Sequence, residues 1–477
     1  MSGLQVNMTK GSILKSLLIF SLPILMSNLF QQLYNTMDIL IVGNYLGDSS
    51  IAAIGASSSI YELLIGFCFG VGSGLSIVVS RYYGYGDKEL VKKSVAGAVV
   101  IAGCLTAVMM LFSLVGLYPL MRLLKTPESI LSESYSYISF LTIFIGVMFA
   151  YNLCAGLLRA IGNSLMPLLF LIFSSIGNVL LDLLFITQFD MGIRGAAIAT
   201  VVAQGISVLL CIFYILRHAA VLVPERRHFA AGKHLYGELL SQGVSMGIMN
   251  AVVCSGTVIL QRAINHLGAV YIACQATARK LNSFMMLPNT TMGAAIATFI
   301  SQNAGAGNRE RIKKGMRIAC RMSICWGIIA TVILALFAKN LVALFGSKQA
   351  EILANAALYL RVASPFYAVL GILYNMRNGL QAMGEKRKPL TSSFMELAGK
   401  ILFSACIIPV LGYWGVIICE PLIWCCMTAQ LVYCYVHVMR LWWQQSWRSH
   451  LLAAVESRMS QRQHRGHKQR KAGHKNN

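Results

Sequence analysis

The amino-acid sequence predicts an all-α polytopic membrane protein. Twelve transmembrane helices form two six-helix repeats, related by a pseudo-two-fold axis along the membrane normal. Three observations carry this prediction. Of 477 residues, 57% are hydrophobic and only 12% charged, about half the ~25% charge of an ordinary soluble domain. Apolar stretches of about 20 residues, enough to cross a bilayer, recur along the whole chain. A polar segment near residue 80 returns near residue 301. Soluble enzymes, disordered chains and disulfide-rich modules are excluded by the first of these alone.

The spans fall near 14–44, 51–79, 94–117, 135–158, 166–188, 194–216, 238–262, 271–299, 316–338, 355–378, 389–411 and 415–439. With no water to satisfy backbone groups inside a bilayer, each must be helical. Met1 to Ser16 lacks a small-residue cleavage site, so the first span is expected to be retained. Seven of the thirteen cysteines, among them Cys68, Cys211 and Cys406, sit inside apolar runs, and no CxxC pair occurs. They read as small apolar residues rather than a redox or metal framework.

Basic residues sort by side. Thirty of the forty Lys and Arg fall at the N-terminus, in the loops after even-numbered spans, or in the tail. Seven fall on the other side: Arg122, Lys125, Arg194, Arg262, Lys339, Lys348 and Arg361. Arg279, Lys280 and Lys400 are the three left inside spans. Positive residues stay cytoplasmic, so both termini are expected there, in the plasma (inner) membrane. The net charge of +23 becomes a topology signal toward anionic lipid, and no nucleic-acid partner is expected.

The repeat is specific. Ser80-Arg-Tyr-Tyr-Gly84-Tyr-Gly86-Asp87 returns as Ser301-Gln-Asn-Ala-Gly305-Ala-Gly307-Asn308, an offset of 221 residues. Gly162, Pro167 and Gly177 return at Gly384, Pro389 and Gly399. Residues 1–221 and 222–440 are therefore expected to be N- and C-lobes of six helices each. Transporters are commonly built this way, with the substrate site between the repeats. The linker after span 6 carries Pro224, Arg226, Arg227, His228 and His234 and reads as a solvated basic tether rather than a metal or pH site. In the tail, 441–477, Trp442, Trp443, Trp447, Leu451 and Val455 have the spacing of an interfacial helix, followed by a disordered basic run.

Five acids lie in the spans: Asp38, Glu62, Asp182, Glu396 and Glu420. A carboxylate at a helix centre costs about 2.5–3.5 kcal/mol on insertion scales, so each calls for a partner or a function. At about 1.5 Å per residue, Asp38 lies roughly 36 Å along span 1 and Asp182 roughly 24 Å along span 5. Thr200 lies roughly 9 Å below the outer edge of span 6. Asn178 precedes Asp182 by one helical turn. Two carboxylates, an amide and a hydroxyl could hold Na⁺ or share a proton; a hydrogen-bonded packing network is the alternative. Pro23, in the middle of span 1, permits a kink. In the second half Glu396 and Lys400 are in the favoured i, i+4 order, with Glu420 on the next helix, and read as a buried ion network. Glu62, Arg279 and Lys280 receive no role.

These residues resemble the multidrug and toxic compound extrusion (MATE) family, and its DinF-like branch in particular. The resemblance rests on Ser21-Leu22-Pro23-Ile24, Gln31-Gln32-Leu33-Tyr34-Asn35, Asp38, Val42-Gly43 and Gly177-Asn178-Val-Leu-Leu-Asp182. Glu396-Leu-Ala-Gly-Lys400 and Glu420-Pro421 are similar to elements of bacterial members, with Lys400 where Arg is usual. The resemblance implies a cation site at Asp38, Asn178, Asp182 and Thr200, a kink at Pro23, and cavity residues Tyr34 and Asn152. The C-lobe acids of another branch are lacking. It implies a monomeric antiporter without cofactor, exporting amphipathic, cationic compounds against H⁺ or Na⁺. The runner-up is a lipid-linked saccharide flippase of the same superfamily, which would want several cations in its cavity. A membrane enzyme is disfavoured because all nine His lie in loops, span ends or the tail.

Overall fold

Helix follows helix with little between them. In the computed structural model, which describes residues 5–123, 128–230, 232–345 and 349–442, twelve rods run in chain order. The first half comprises α1 (Ile13–Leu46), α2 (Asp48–Tyr85), α3 (Lys88–Leu123), α4 (Glu128–Ile143 and Ile145–Ala160), α5 (Leu165–Leu183, extended by a π turn Leu184–Gln188) and α6 (Gly192–His218). The second comprises α7 (Lys233–Asn265), α8 (Ala269–Gly305), α9 (Arg309–Phe345), α10 (Ala350–Ala363, Ser364–Phe366 and Tyr367–Ala382), α11 (Arg387–Leu402, a π turn Phe403–Ile407 and Ile408–Leu411) and α12 (Tyr413–Trp442).

Ten of these are long and apolar enough to span a membrane, and α4, bent by 46° at its break, makes an eleventh. The twelfth, α8, fails on hydropathy because Gln275, Arg279, Lys280, Asn282 and Asn289 interrupt it. Its length of 37 residues is ample.

The duplication is visible in the backbone. Glycines with positive φ stand at Gly47, Gly86, Gly162 and Gly192 in the first half, and at Gly268, Gly307, Gly384 and Gly412 in the second. Gly86, at φ 87°, closes α2 by accepting the left-handed conformation that ends a helix. Gly307, at φ 69°, makes the equivalent turn after α8. Each half also carries a π turn late in its fifth helix.

The halves are joined through glycine. Gly70 and Gly74 of α2 face Gly243 and Gly247 of α7, two GxxxG motifs meeting across the boundary. A Cβ on Gly70 would stand 2.4 Å from the Met246 carbonyl oxygen, and one on Gly74 2.6 Å from that of Gln242. Small residues let backbones approach this closely, and dispersion between them substitutes for the hydrophobic drive that lipid does not provide.

The linker is better ordered than a plain tether. His228 is fully buried. Its Nδ1 accepts from the Glu225 backbone N–H at 2.8 Å, so Nε2 carries the proton and donates to Glu89 of α3 at 3.0 Å. Lys92 and Arg227 both donate to Glu225 and hold its carboxyl below the usual range. Among the described residues no group of three metal-ligating side chains occurs.

Residues through Thr428 form one compact unit and Ala429 onward a second. Within the second, Tyr433 and His437 stack one turn apart. Lys125, Lys348 and the tail from Trp443, with its expected interfacial helix and basic run, lie outside the described residues.

Candidate functional site

The face of α1 that carries Ser27, Asn28, Gln31 and Asn35 lines a central cavity of about 460 Å³. Asp38 continues that face one turn beyond Asn35. The helix runs unbroken through Pro23, and Ser27 Oγ donates to the Pro23 carbonyl at 2.9 Å.

At the far end of this stripe is the acid site. The carboxyls of Asp38 and Asp182 face each other closely enough for one proton to bridge them. Asp182 is 0% exposed, Asn178 2% and Thr200 8%. Tyr34, Asn178, Thr200 and Gln204 surround a small cavity of about 10 Å³, room for one water-sized particle. Both Asp182 oxygens, both Asn178 amide atoms, Asp38 Oδ1, Ser175 Oγ and Gln204 Oε1 are buried with no protein hydrogen-bond partner. Buried polar groups are nearly always paired, and a buried unpaired one costs about 1–3 kcal/mol. Seven together, five of them on Asp38, Asn178 and Asp182, mark a place built to receive something positive or donating.

Leu171 borders both cavities. Asn152 lines the central one and Tyr34 the small one. Gln204 and Ser175 belong to the acid site without having been singled out in the sequence. The signal was available, since Gln204 follows Thr200 by four residues and Ser175 precedes Asn178 by three, on the same helical faces.

Arg159 of α4 and Arg377 of α10 also line the central cavity. The charge sort had placed both among the basic loop residues and left Arg279, Lys280 and Lys400 as the only intramembrane cations. The structure corrects this, because both arginines lie within helices, near the ends that meet the basic loops. Hydropathy windows cannot separate a residue facing inward near a helix end from one in the adjoining loop.

In the second half Lys400 Nζ donates to Glu396 at 2.9 Å, and Arg377 Nη2 lies 3.5 Å from the same carboxylate. Glu420 accepts from the Tyr359 hydroxyl at 2.8 Å. Arg279 donates to Gln261 at 3.2 Å. Lys280 is exposed.

The basic face of the cavity is closed. Arg81 pairs with Glu238 at 2.7 Å, Tyr82 donates to the same carboxylate at 2.8 Å, and Gln302 Nε2 donates to the Ala160 carbonyl at 2.8 Å. The N-terminal segment straps the two halves together. Val6 N–H bonds Gly162 at 2.9 Å, and Met8, fully buried, accepts from Asn303 at 3.0 Å. Arg311 donates to the carbonyls of Met8, Lys10 and Gly11 at 3.0, 2.8 and 2.8 Å. Arg311→Lys loses the planar fork that reaches three acceptors. It is expected to speed amide exchange in residues 6–12 by about tenfold or more, measured by hydrogen-exchange mass spectrometry, with the exchange of α5 unchanged.

The MatE family model matches the chain twice, over residues 23–184 and 246–405, once in each half. The probable multidrug resistance protein YpnP of Bacillus subtilis is 30% identical over 383 residues, covering 79% of this chain and 84% of its own length. An FAD transporter of Shewanella oneidensis is 24% identical over 365 residues, 75% of this chain and 79% of that protein. Among solved structures, a multidrug resistance MATE family transporter of the MOP superfamily in an outward-facing conformation shares the fold. The TM-score is 0.84 at 20% identity, over 92% of this chain and 99% of that one.

Proposed function

The chain belongs to the MatE family of membrane transporters, and on that premise we propose a secondary antiporter, acting as a monomer in the plasma membrane with both termini and the basic face cytoplasmic. It exports a small amphipathic molecule from the central cavity while a monovalent cation enters at Asp38, Asn178, Asp182 and Thr200. The observation that carries the coupling site is the facing of Asp38 and Asp182 with no protein donor to either Asp182 oxygen. Two carboxylates desolvated side by side repel each other, and one shared proton removes that cost. Asn178, one turn from Asp182, and Thr200 bring further oxygens to a small cavity beside the acid pair, which keeps Na⁺ as the second reading.

Alternation follows from the packing. The halves meet through two glycine motifs, so they can rock as units about that seam. α1 connects the two events, since its one polar face runs from the central cavity to the acid site, with Pro23 as the weak point below. Loading the acid site changes the charge at one end of a helix whose other part lines the substrate cavity. Anionic lipid at the basic face would hold the orientation.

The test uses proteoliposomes under a pure proton gradient and, separately, a pure sodium gradient. Export is expected under the proton gradient. Export under sodium alone selects the second reading, and export under neither overturns coupling at this site.

A further inference from the structure

The charge of the central cavity is opposite to that expected for a cation exporter. Its described lining contains Arg159 and Arg377 and no Asp or Glu. Arg159 makes no ion pair or side-chain hydrogen bond among the described residues. Arg377 has a carboxylate near it, but Glu396 lies closer to Lys400, 2.9 Å against 3.5 Å. Glu420 also bears on Lys400, so two carboxylates answer Lys400 and Arg377, and the positive charge left over is that of Arg159. Asp38 and Asp182 do not offset it, because they sit beyond the cavity wall and face each other.

We propose that the cavity binds an organic anion: an apolar or aromatic body carrying a carboxylate, sulfonate or phosphate group. The anion would lie between Arg159 and Arg377, whose guanidinium forks match planar or tetrahedral oxyanions through paired N–H donors. Side-chain amides of Asn152, Asn250 and Asn378 line the same space and supply neutral donors. Phe69, Met246 and Met249 supply an apolar surface for the body, Met being adaptable to varied shapes. About 460 Å³ lies within the range of drug-sized sites. A cation placed there would face two guanidinium groups with no lining carboxylate to compensate, a repulsive arrangement that itself confers specificity.

This inference rests on the central cavity being the substrate site, and reverses the cationic expectation drawn from the sequence. Both a soluble aromatic anion and a lipid-linked pyrophosphate have the required chemistry, and the test separates them.

The experiment is equilibrium binding to the purified full chain without any gradient, so that a failure of ion coupling leaves its outcome unaffected. Fluorescein, an anion, and rhodamine 123, a cation on a similar ring frame, serve as probes read by fluorescence anisotropy. Fluorescein is expected to bind the more tightly. Arg159→Gln is expected to weaken it about tenfold or more, the scale of one charge-assisted hydrogen bond, and Arg159→Lys to weaken it less. Rhodamine 123 binding should be unchanged or tighter in Arg159→Gln. Displacement of fluorescein by farnesyl diphosphate, but not by excess benzoate, assigns the anion to a lipid carrier; the reverse assigns it to a soluble compound. Tighter binding of rhodamine 123 to the unmodified chain, or unchanged fluorescein binding in a folded Arg159→Gln protein, overturns the proposal.

Discussion

Replacing Asp38 by asparagine is expected to raise the thermal stability of the protein while abolishing ion-driven export. The two effects share one cause. Both Asp182 oxygens are buried without a donor, and an asparagine amide at position 38 would face them with an N–H. A hydrogen bond to a charged group contributes about 1.5–3 kcal/mol, of which some is lost to imperfect geometry. The same substitution removes one of the two carboxyls between which a proton is shared, so the site no longer changes charge on loading. Thermal unfolding in detergent and gradient-driven efflux in liposomes measure the two halves of this prediction. Export within twofold of the unmodified rate would remove Asp38 from the coupling site, and a large loss of stability would mean that the carboxyls do not face each other. Either result is informative because a merely structural acid would lose both properties together.

The second large effect is expected at the closed basic face. A Cβ on Gly84 would stand 2.0 Å from the Gln302 carbonyl oxygen, and one on Gly305 1.9 Å from that of Arg81. These are backbone atoms on crossing helix ends, so no side chain can turn aside to relieve the overlap. Gly84→Val and Gly305→Val should therefore separate the ends of α2 and α8. The closed arrangement would cost about 3 kcal/mol, the upper end of the usual scale of overpacked cores, a shift on the order of a hundredfold in its population. Hydrogen exchange should accelerate around residues 81–86 and 302–306, and export should fall by a similar factor. Gly72→Ala is the control on the same helix, because its Cβ would meet the Phe149 ring at 3.5 Å and the Leu153 backbone nitrogen at 3.9 Å, both ordinary contacts. Unaltered exchange in Gly84→Val would show that the two helix ends do not need to meet.

Much of this molecule was legible in its sequence. The apolar stretches read along the chain correspond to all twelve helices, α8 included, although its polar residues keep it below the hydropathy of a plain span. Asp38, Asn178 and Asp182 stood out because charged or amide side chains inside apolar runs demand an explanation wherever they occur. The pairing of Glu396 with Lys400 followed from helical spacing alone. Arg159 and Arg377 were lost for a physical reason. Near a helix end the same residue can face lipid headgroups, a loop or a cavity, and composition does not record which way the helix is turned. The spacing of Asn152, Gly156 and Arg159, and of Tyr374, Arg377 and Asn378, does trace cavity faces once the cavity is known.

Element order, duplication and the acid pair thus follow from local rules: burial of apolar length, the cost of charge in lipid, and a repeat of 221 residues. The sign of the central cavity does not. It depends on which side chains from α1, α2, α4, α5, α7, α8 and α10 converge, and on Glu396 and Lys400 standing outside a lining that holds Arg159 and Arg377. Those placements are set by helix rotation and glycine-limited approach, which are properties of packed pairs and are not written in any one segment.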